Sequence, residues 1–196
     1  MGGDLLDGQD DPAARTWELR ETVVVAAPPE EVFAAVSDVR RMPDWSPECI
    51  GVRVIAGRNG PRPAFIGFNR NGFRYWFTVC RVTRCETPKE FAFRVSIAGL
   101  PIASWGFRLS PVEDAAEGTD ATYVTQYWHD LRRGRRGRIT DLLGRVAAGT
   151  SPAARLRTNR SGMAATLDRL KRAVESDAER NRTSSRATPS SASGAD

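Results

Sequence analysis

The spacing of apolar and polar positions changes several times along the chain, and each change marks an element. Residues 16–27, TWELRETVVVAA, alternate and then end in a β-branched run, the pattern of a strand. PPEEVFAAVSDV follows, with two prolines where a helix can begin and Glu30 and Glu31 in a first turn whose dipole favours acids. Val32, Phe33, Val36 and Val39 mark one apolar face of that helix. RRMPDWSP, broken at Pro43 and Pro47, reads as a turn-rich link. Strand candidates then come in series: IGVRVIAG, AFIGFNR, FRYWFTVCRV, EFAFRVSI, ASWGFRLS and ATYVTQYWHDL. A helical region covers about residues 139–175, interrupted near 149–152. In it Met163, Leu167, Leu170 and Val174 form a stripe at helical spacing that reads as core contacts. One strand, a short helix, six more strands and a long closing helix predict an α+β fold with a mostly antiparallel sheet. Such a sheet can curl around the last helix and leave a cavity between them.

The hairpin FIGFNRNGFRYWFTVCRV, Phe65 to Val82, carries apolar residues on both faces. Asn71-Gly72 is the strongest short-range signal for a two-residue type I′ turn. That turn sets Asn69 opposite Arg74, Gly67 opposite Trp76 and Phe65 opposite Thr78 on one face. Ile66, Phe68, Tyr75 and Phe77 lie on the other. Apolar content near the turn favours the second face as the core. Further along, Cys80 and Val82 continue the first face while Arg81 and Thr83 continue the second, which favours the first.

Composition narrows the class. The chain has 196 residues, 40% hydrophobic and 27% charged, an ordinary globular balance. Residues 1–14 are Gly- and Asp-rich, and from 178 onward the run ERNRTSSRATPSSASGAD has no aliphatic larger than alanine. The expected organisation is a disordered 1–14, one folded domain over 15–177 and a disordered tail over 178–196. There is no apolar run of membrane-spanning length and no signal-like start, so a cytoplasmic protein is expected. Three cysteines, an odd number, fit a reducing compartment, and Cys80 and Cys85 point to opposite faces of one strand. The net charge of +5 is carried mainly by arginine, since only Lys89 and Lys171 are lysines. The RRGRRGR run, Arg132 to Arg138, reads first as a solvated loop; its candidate partner is a weakly bound membrane surface, and no nucleic-acid partner is expected.

The segment VVVAAPPEEVFAAVSDVRRMPDWSPEC resembles the opening of the START-like, or SRPBCC, superfamily, which includes the polyketide cyclase/dehydrase and lipid-transport family. The residues that carry the likeness are Ala27, Pro28, Pro29, Val32, Phe33, Asp38, Trp45 and Pro47. FIGFNR, RYWFTVCRV, FAFRV, ASWGFRL and GTDATYVTQYW follow in the family's order, so the resemblance spans about residues 16–175. It implies a helix-grip (START/Bet v 1-like) fold, a curved antiparallel sheet of about seven strands wrapped around a long C-terminal helix. It also implies that the first hairpin face lines the interior: Phe65, Gly67, Asn69, Arg74, Trp76, Thr78 and Cys80. The same parity turns Phe91, Phe93 and Val95 inward, then Trp105, Phe107 and Leu109, then Thr122, Val124, Gln126 and Trp128. The candidate ligand-binding set is Trp45, Phe65, Gly67, Asn69, Arg74, Trp76, Thr78, Phe93, Trp105, Gln126, Trp128 and Met163. Apolar walls with a few convergent polar groups describe a small-molecule pocket.

Signals for catalysis are sparse. His129, the lone histidine, falls on the outward parity beside Asp130, and one histidine with scattered cysteines makes no zinc cluster, so neither metal nor cofactor is expected. Asp38 and Asp44 fit capping and turn roles. Arg74, near a pocket mouth, could hold a carboxylate or phenolate or stabilise an enolate. Two functions stand. The favoured one is binding or transport of a hydrophobic small molecule such as a lipid, isoprenoid or polyketide. The alternative is a polyketide cyclase or dehydratase acting in the same cavity, where folding the substrate supplies much of the rate. The outer hairpin face is a candidate homodimer or partner surface.

Overall fold

The computed structural model describes residues 18–55, 63–113, 120–132 and 152–186, with side chains from 155 to 183 in the last segment. Seven strands form one antiparallel sheet: β1 (Glu18–Val25), β2 (Cys49–Ile55), β3 (Ala64–Asn71), β4 (Arg74–Glu86), β5 (Glu90–Ile97), β6 (Leu100–Pro111) and β7 (Thr122–Asp130). Their order across the sheet is β1-β7-β6-β5-β4-β3-β2. Helix α1 (Pro29–Ser37), a 3-10 turn (Val39–Arg41) and helix α2 (Met42–Trp45) link β1 to β2. The long helix α3 (Pro152–Arg186) closes the structure against β1, α1 and α2. This is the helix-grip arrangement.

Each local signal has a physical cause. Pro28 and Pro29 open α1 with Glu30 and Glu31 in its first turn, and Val32, Phe33, Ala35 and Val36 are buried. Asp38 accepts a hydrogen bond from the Arg40 backbone N–H at 3.2 Å, capping the 3-10 turn. On α3 the stripe Met163, Leu167, Leu170 and Val174 is buried and continues to Ala178. The helix therefore runs past Asp177, beyond which composition predicts a tail. Arg41 donates to the Asp177 carboxylate at 2.9 Å and Ala178 packs into the core, so this turn is held from two sides.

The hairpin turn is displaced from its expected place. Gly72 and Phe73, not Asn71 and Gly72, are the central residues, with Asn71 paired to Arg74 and Gly72 at φ +61°. A glycine with positive φ at the first central position suits a type II′ turn, whose twist also matches the strands. Every β3 residue consequently finds its partner two places further along β4: Phe65 faces Cys80, Gly67 faces Thr78 and Asn69 faces Trp76. A slip of one residue would have exchanged the faces, whereas a slip of two preserves them. The inward set survives although each cross-strand pair changes. Two consecutive positive-φ residues, the type I′ pattern, occur instead at Ala98 (+49°) and Gly99 (+79°) between β5 and β6.

The concave face holds the core in two clusters. The larger gathers Phe65, Phe91, Phe93, Phe107 and Leu109 under α1 and the second half of α3. The smaller gathers Leu19, Ala103, Trp128 and Met163. Each large side chain so buried is worth about 1.5–3 kcal/mol, most of it offset by chain entropy. On the convex face Tyr127 lies over Gly106, and its hydroxyl donates to Glu90 Oε1 at 2.7 Å. The Arg108 guanidinium sits 5.0 Å from the Tyr127 ring centre, and His129 stacks on that ring at 5.1 Å. Burial, then the bonded carboxylate, push the Tyr127 phenol well above its usual range. His129 is outward-facing, as parity requires, but half-buried, with Nε2 3.4 Å from Glu18.

Candidate functional site

Between the two core clusters lies a cavity of about 590 Å³. Its size and apolar lining are those of a small-molecule site. Strands β3 and β4 supply Phe65, Gly67, Asn69, Trp76, Thr78 and Cys80; β5 to β7 supply Phe93, Trp105, Phe107, Gln126 and Trp128. Trp45 closes the wall from α2 and Met163 from α3. Phe65 meets Phe93 edge to face with centroids 5.3 Å apart, and Trp105 meets Trp128 at 6.3 Å. These contacts fix the rings that shape the chamber.

Of the ligand-binding set read from the sequence, Arg74 alone falls outside the lining. The two-place slip puts it beside the turn, where its guanidinium lies 5.6 Å from the Phe73 ring centre. Arg155 is a cation that does stand at the cavity wall. It grips Glu48 through both carboxylate oxygens, at 2.9 and 2.5 Å, and lies 5.9 Å from the Trp76 ring centre. This clasp joins α3 to the α2–β2 link across the mouth. Bidentate geometry and partial burial make it stronger than an ordinary surface pair. Nothing in the local sequence marks Glu48 and Arg155 as partners, because they are far apart in the chain and each looks like a surface charge.

Asn69 donates to the Gly67 carbonyl at 3.1 Å and reaches Thr78 Oγ1 at 3.5 Å, a small polar ledge on an otherwise aromatic wall. Gln126, Asn159 and Thr166 are buried around the lining. Gln126 Oε1 has no hydrogen-bond partner among the described residues. Arg132 also reaches the wall, but it is committed to Asp130 through its backbone N–H (2.8 Å), Nε (2.9 Å) and Nη2 (2.7 Å). Asp130 is fully buried and Arg132 only 10% exposed, so this first arginine of the Arg-Gly run is turned inward rather than solvated. Residues 133–138 of that run lie outside the described residues.

Two thiols line the chamber. Burial pushes Cys80 up to about 12 and raises Cys49 as well, so both are protonated at neutral pH and poor nucleophiles. Cys85 is exposed, but the β-bulge between Val82 and Arg84 pairs it with Phe91, so it shares the face of Cys80 instead of opposing it as simple alternation predicts. One of the three thiols should therefore react rapidly with Ellman's reagent in the folded protein, and all three in denaturant. Fast reaction of two or more in the native state would contradict this chamber.

The family model described as "Polyketide cyclase / dehydrase and lipid transport" matches residues 16–175. No curated protein matches the sequence. Among solved structures, the ZhuI aromatase/cyclase from Streptomyces sp. R1128 is similar at TM-score 0.59 and 16% identity, with 82% of this chain and 94% of that one covered. A START superfamily protein from Mycobacterium smegmatis aligns at TM-score 0.54 and 18% identity, covering 83% and 97%. A protein from Thermus thermophilus aligns at 0.54 and 15%, covering 82% and 98%. At these identities the likeness is one of fold.

Proposed function

The chain belongs to the polyketide cyclase/dehydrase and lipid-transport family, and on that footing we propose that it binds a hydrophobic small molecule between sheet and α3, as a carrier or sensor. The observation that carries this reading is the cavity: about 590 Å³ walled by Phe65, Phe93, Trp105, Phe107 and Trp128. Aromatic walls favour a flat or ring-containing ligand over a charged one. The unpartnered Gln126 Oε1 favours a ligand with a hydroxyl or amide donor, because a buried acceptor left unpaired costs about 1–3 kcal/mol. Isoprenoids, lipids and polyketide-like rings all fit that description.

A cyclase that goes beyond folding its substrate needs a group on the wall that can take and return a proton. Among the described lining residues the thiols are held protonated, Glu48 is gripped by Arg155, and His129 lies on the opposite face. These positions favour binding over turnover.

Titration with N-phenyl-1-naphthylamine tests the proposal. Wild type should give a saturable one-site rise in fluorescence, with a Kd on the order of micromolar. Ala165→Trp, which sends an indole into the cavity from α3, should weaken binding at least about tenfold. Binding that does not saturate, or that survives Ala165→Trp in a protein of unchanged circular dichroism, would refute the cavity as the site. Turnover of a poly-β-keto thioester analogue by wild type would move the reading to the cyclase.

A further inference from the structure

Charge and apolar surface coincide on the convex end of the sheet. Phe73 at the β3–β4 turn is 86% exposed, Tyr75 64%, Phe77 62% and Phe68 41%. The register places Phe68 directly opposite Phe77 and Ile66 opposite Val79, so these side chains form one patch on a projecting hairpin. Around it stand Arg53, Arg70 and Arg81, with Arg94 beside Arg81 on β5. Between Cys49 and Cys85 the sequence contains seven arginines and no aspartate or glutamate. The acids that border this stretch are engaged, Glu48 with Arg155 and Glu86 with Arg84.

We propose that this hairpin docks on an anionic lipid surface, with Phe73, Tyr75 and Phe77 entering the interfacial layer and the arginines meeting acidic headgroups. Three features select this occupant. A second copy meeting the patch with the same patch would set arginines against arginines, with no carboxylate from residues 49–85 to compensate. The surface is a convex tip, which suits a soft planar layer better than a rigid partner's concave pocket. Aromatic rings flanked by cations also match the chemistry of the membrane interface, where rings settle at headgroup depth and each nearby arginine contributes. Arg70, Asn71 and Gly72 of the same hairpin also line the cavity, so docking brings that part of its wall near the lipid. Loading of an apolar ligand from the bilayer would follow, and that role alone rests on the carrier reading.

Vesicle co-sedimentation provides the test. Wild type in about 50 mM salt should pellet with vesicles of phosphatidylcholine and phosphatidylglycerol (7:3) and stay in solution with phosphatidylcholine alone. Phe73→Ser combined with Phe77→Ser should weaken vesicle binding at least about tenfold, and Arg53→Gln with Arg81→Gln about fivefold per arginine. None of these four positions lines the cavity, so naphthylamine binding should be unchanged in both variants. Failure of the wild type to pellet, equal pelleting with both lipids, or full binding by the Phe73→Ser/Phe77→Ser variant would each overturn the proposal. A dimer in analytical ultracentrifugation that Phe77→Ser dissolves would also overturn it, by assigning the patch to a second copy. Loss of naphthylamine binding in wild type with vesicle binding intact would refute the carrier reading and leave the docking in place.

Discussion

Asp130→Ala should lower the melting temperature by roughly 6–20 °C, since breaking a buried ion pair costs about 3–5 kcal/mol and each kcal/mol shifts a domain of this size by about 2–4 °C. Asp130 has no solvent-exposed side-chain surface, and its two oxygens accept three hydrogen bonds from Arg132. Removing the carboxylate leaves a guanidinium at the cavity wall without that counter-charge, and burial makes the uncompensated cation costly. Replacing both partners should hurt less. Asp130→Leu with Arg132→Met removes two charges together and should recover a substantial part of the loss, because an apolar pair of similar volume avoids the desolvation of both ions. Thermal denaturation of the two proteins decides it. A melting temperature for Asp130→Ala within about 2 °C of wild type would show that the pair contributes little.

This pair also shows where the sequence was readable. Alternation sorts the residues of a strand onto two faces and the family resemblance named the inward one, and together they placed Phe91, Phe93, Trp105, Gln126 and Trp128 where the structure has them. The stripe on α3 was readable for the same reason, its period being set by helix geometry. Partners were harder. Asn71-Gly72 looked like the turn because its composition suits two positive-φ sites, yet Gly72-Phe73 satisfies a type II′ turn with one such site. That local competition moved Arg74 away from the cavity and put Thr78, not Trp76, opposite Gly67. The Glu48–Arg155 clasp and the inward Arg132 depend on how α3 and the end of β7 meet the rest of the fold. No period in the sequence encodes those meetings. Charged residues were read as solvated because most are, and the exceptions are the ones that shape the cavity's mouth and wall.

Gly106→Ala should destabilise the protein by about 1–3 kcal/mol, whereas Gly67→Ala should change stability by less than about 1 kcal/mol. The two glycines lie on different strands of one sheet, and the difference is what fills the space beside them. A Cβ at Gly106 would fall 2.3 Å from Tyr127 Cζ and 2.4 Å from its hydroxyl oxygen. The ring cannot simply move aside: its hydroxyl is bonded to Glu90, while Arg108 and His129 pack against it. At Gly67 the nearest atom to a new Cβ is Thr78 Oγ1 at 3.2 Å, on a side chain that can turn beside the cavity. Restricting a flexible glycine in the unfolded chain then offsets the crowding. If the collision with Tyr127 is the cause, Gly106→Ala and Tyr127→Ala cannot be additive. Once the ring is gone the collision with it is gone too, so the double variant should be more stable than the sum of the single losses implies, by about 1 kcal/mol or more. Denaturant unfolding of the four proteins measures this coupling. Additive losses would show that the ring is not what excludes a side chain at Gly106.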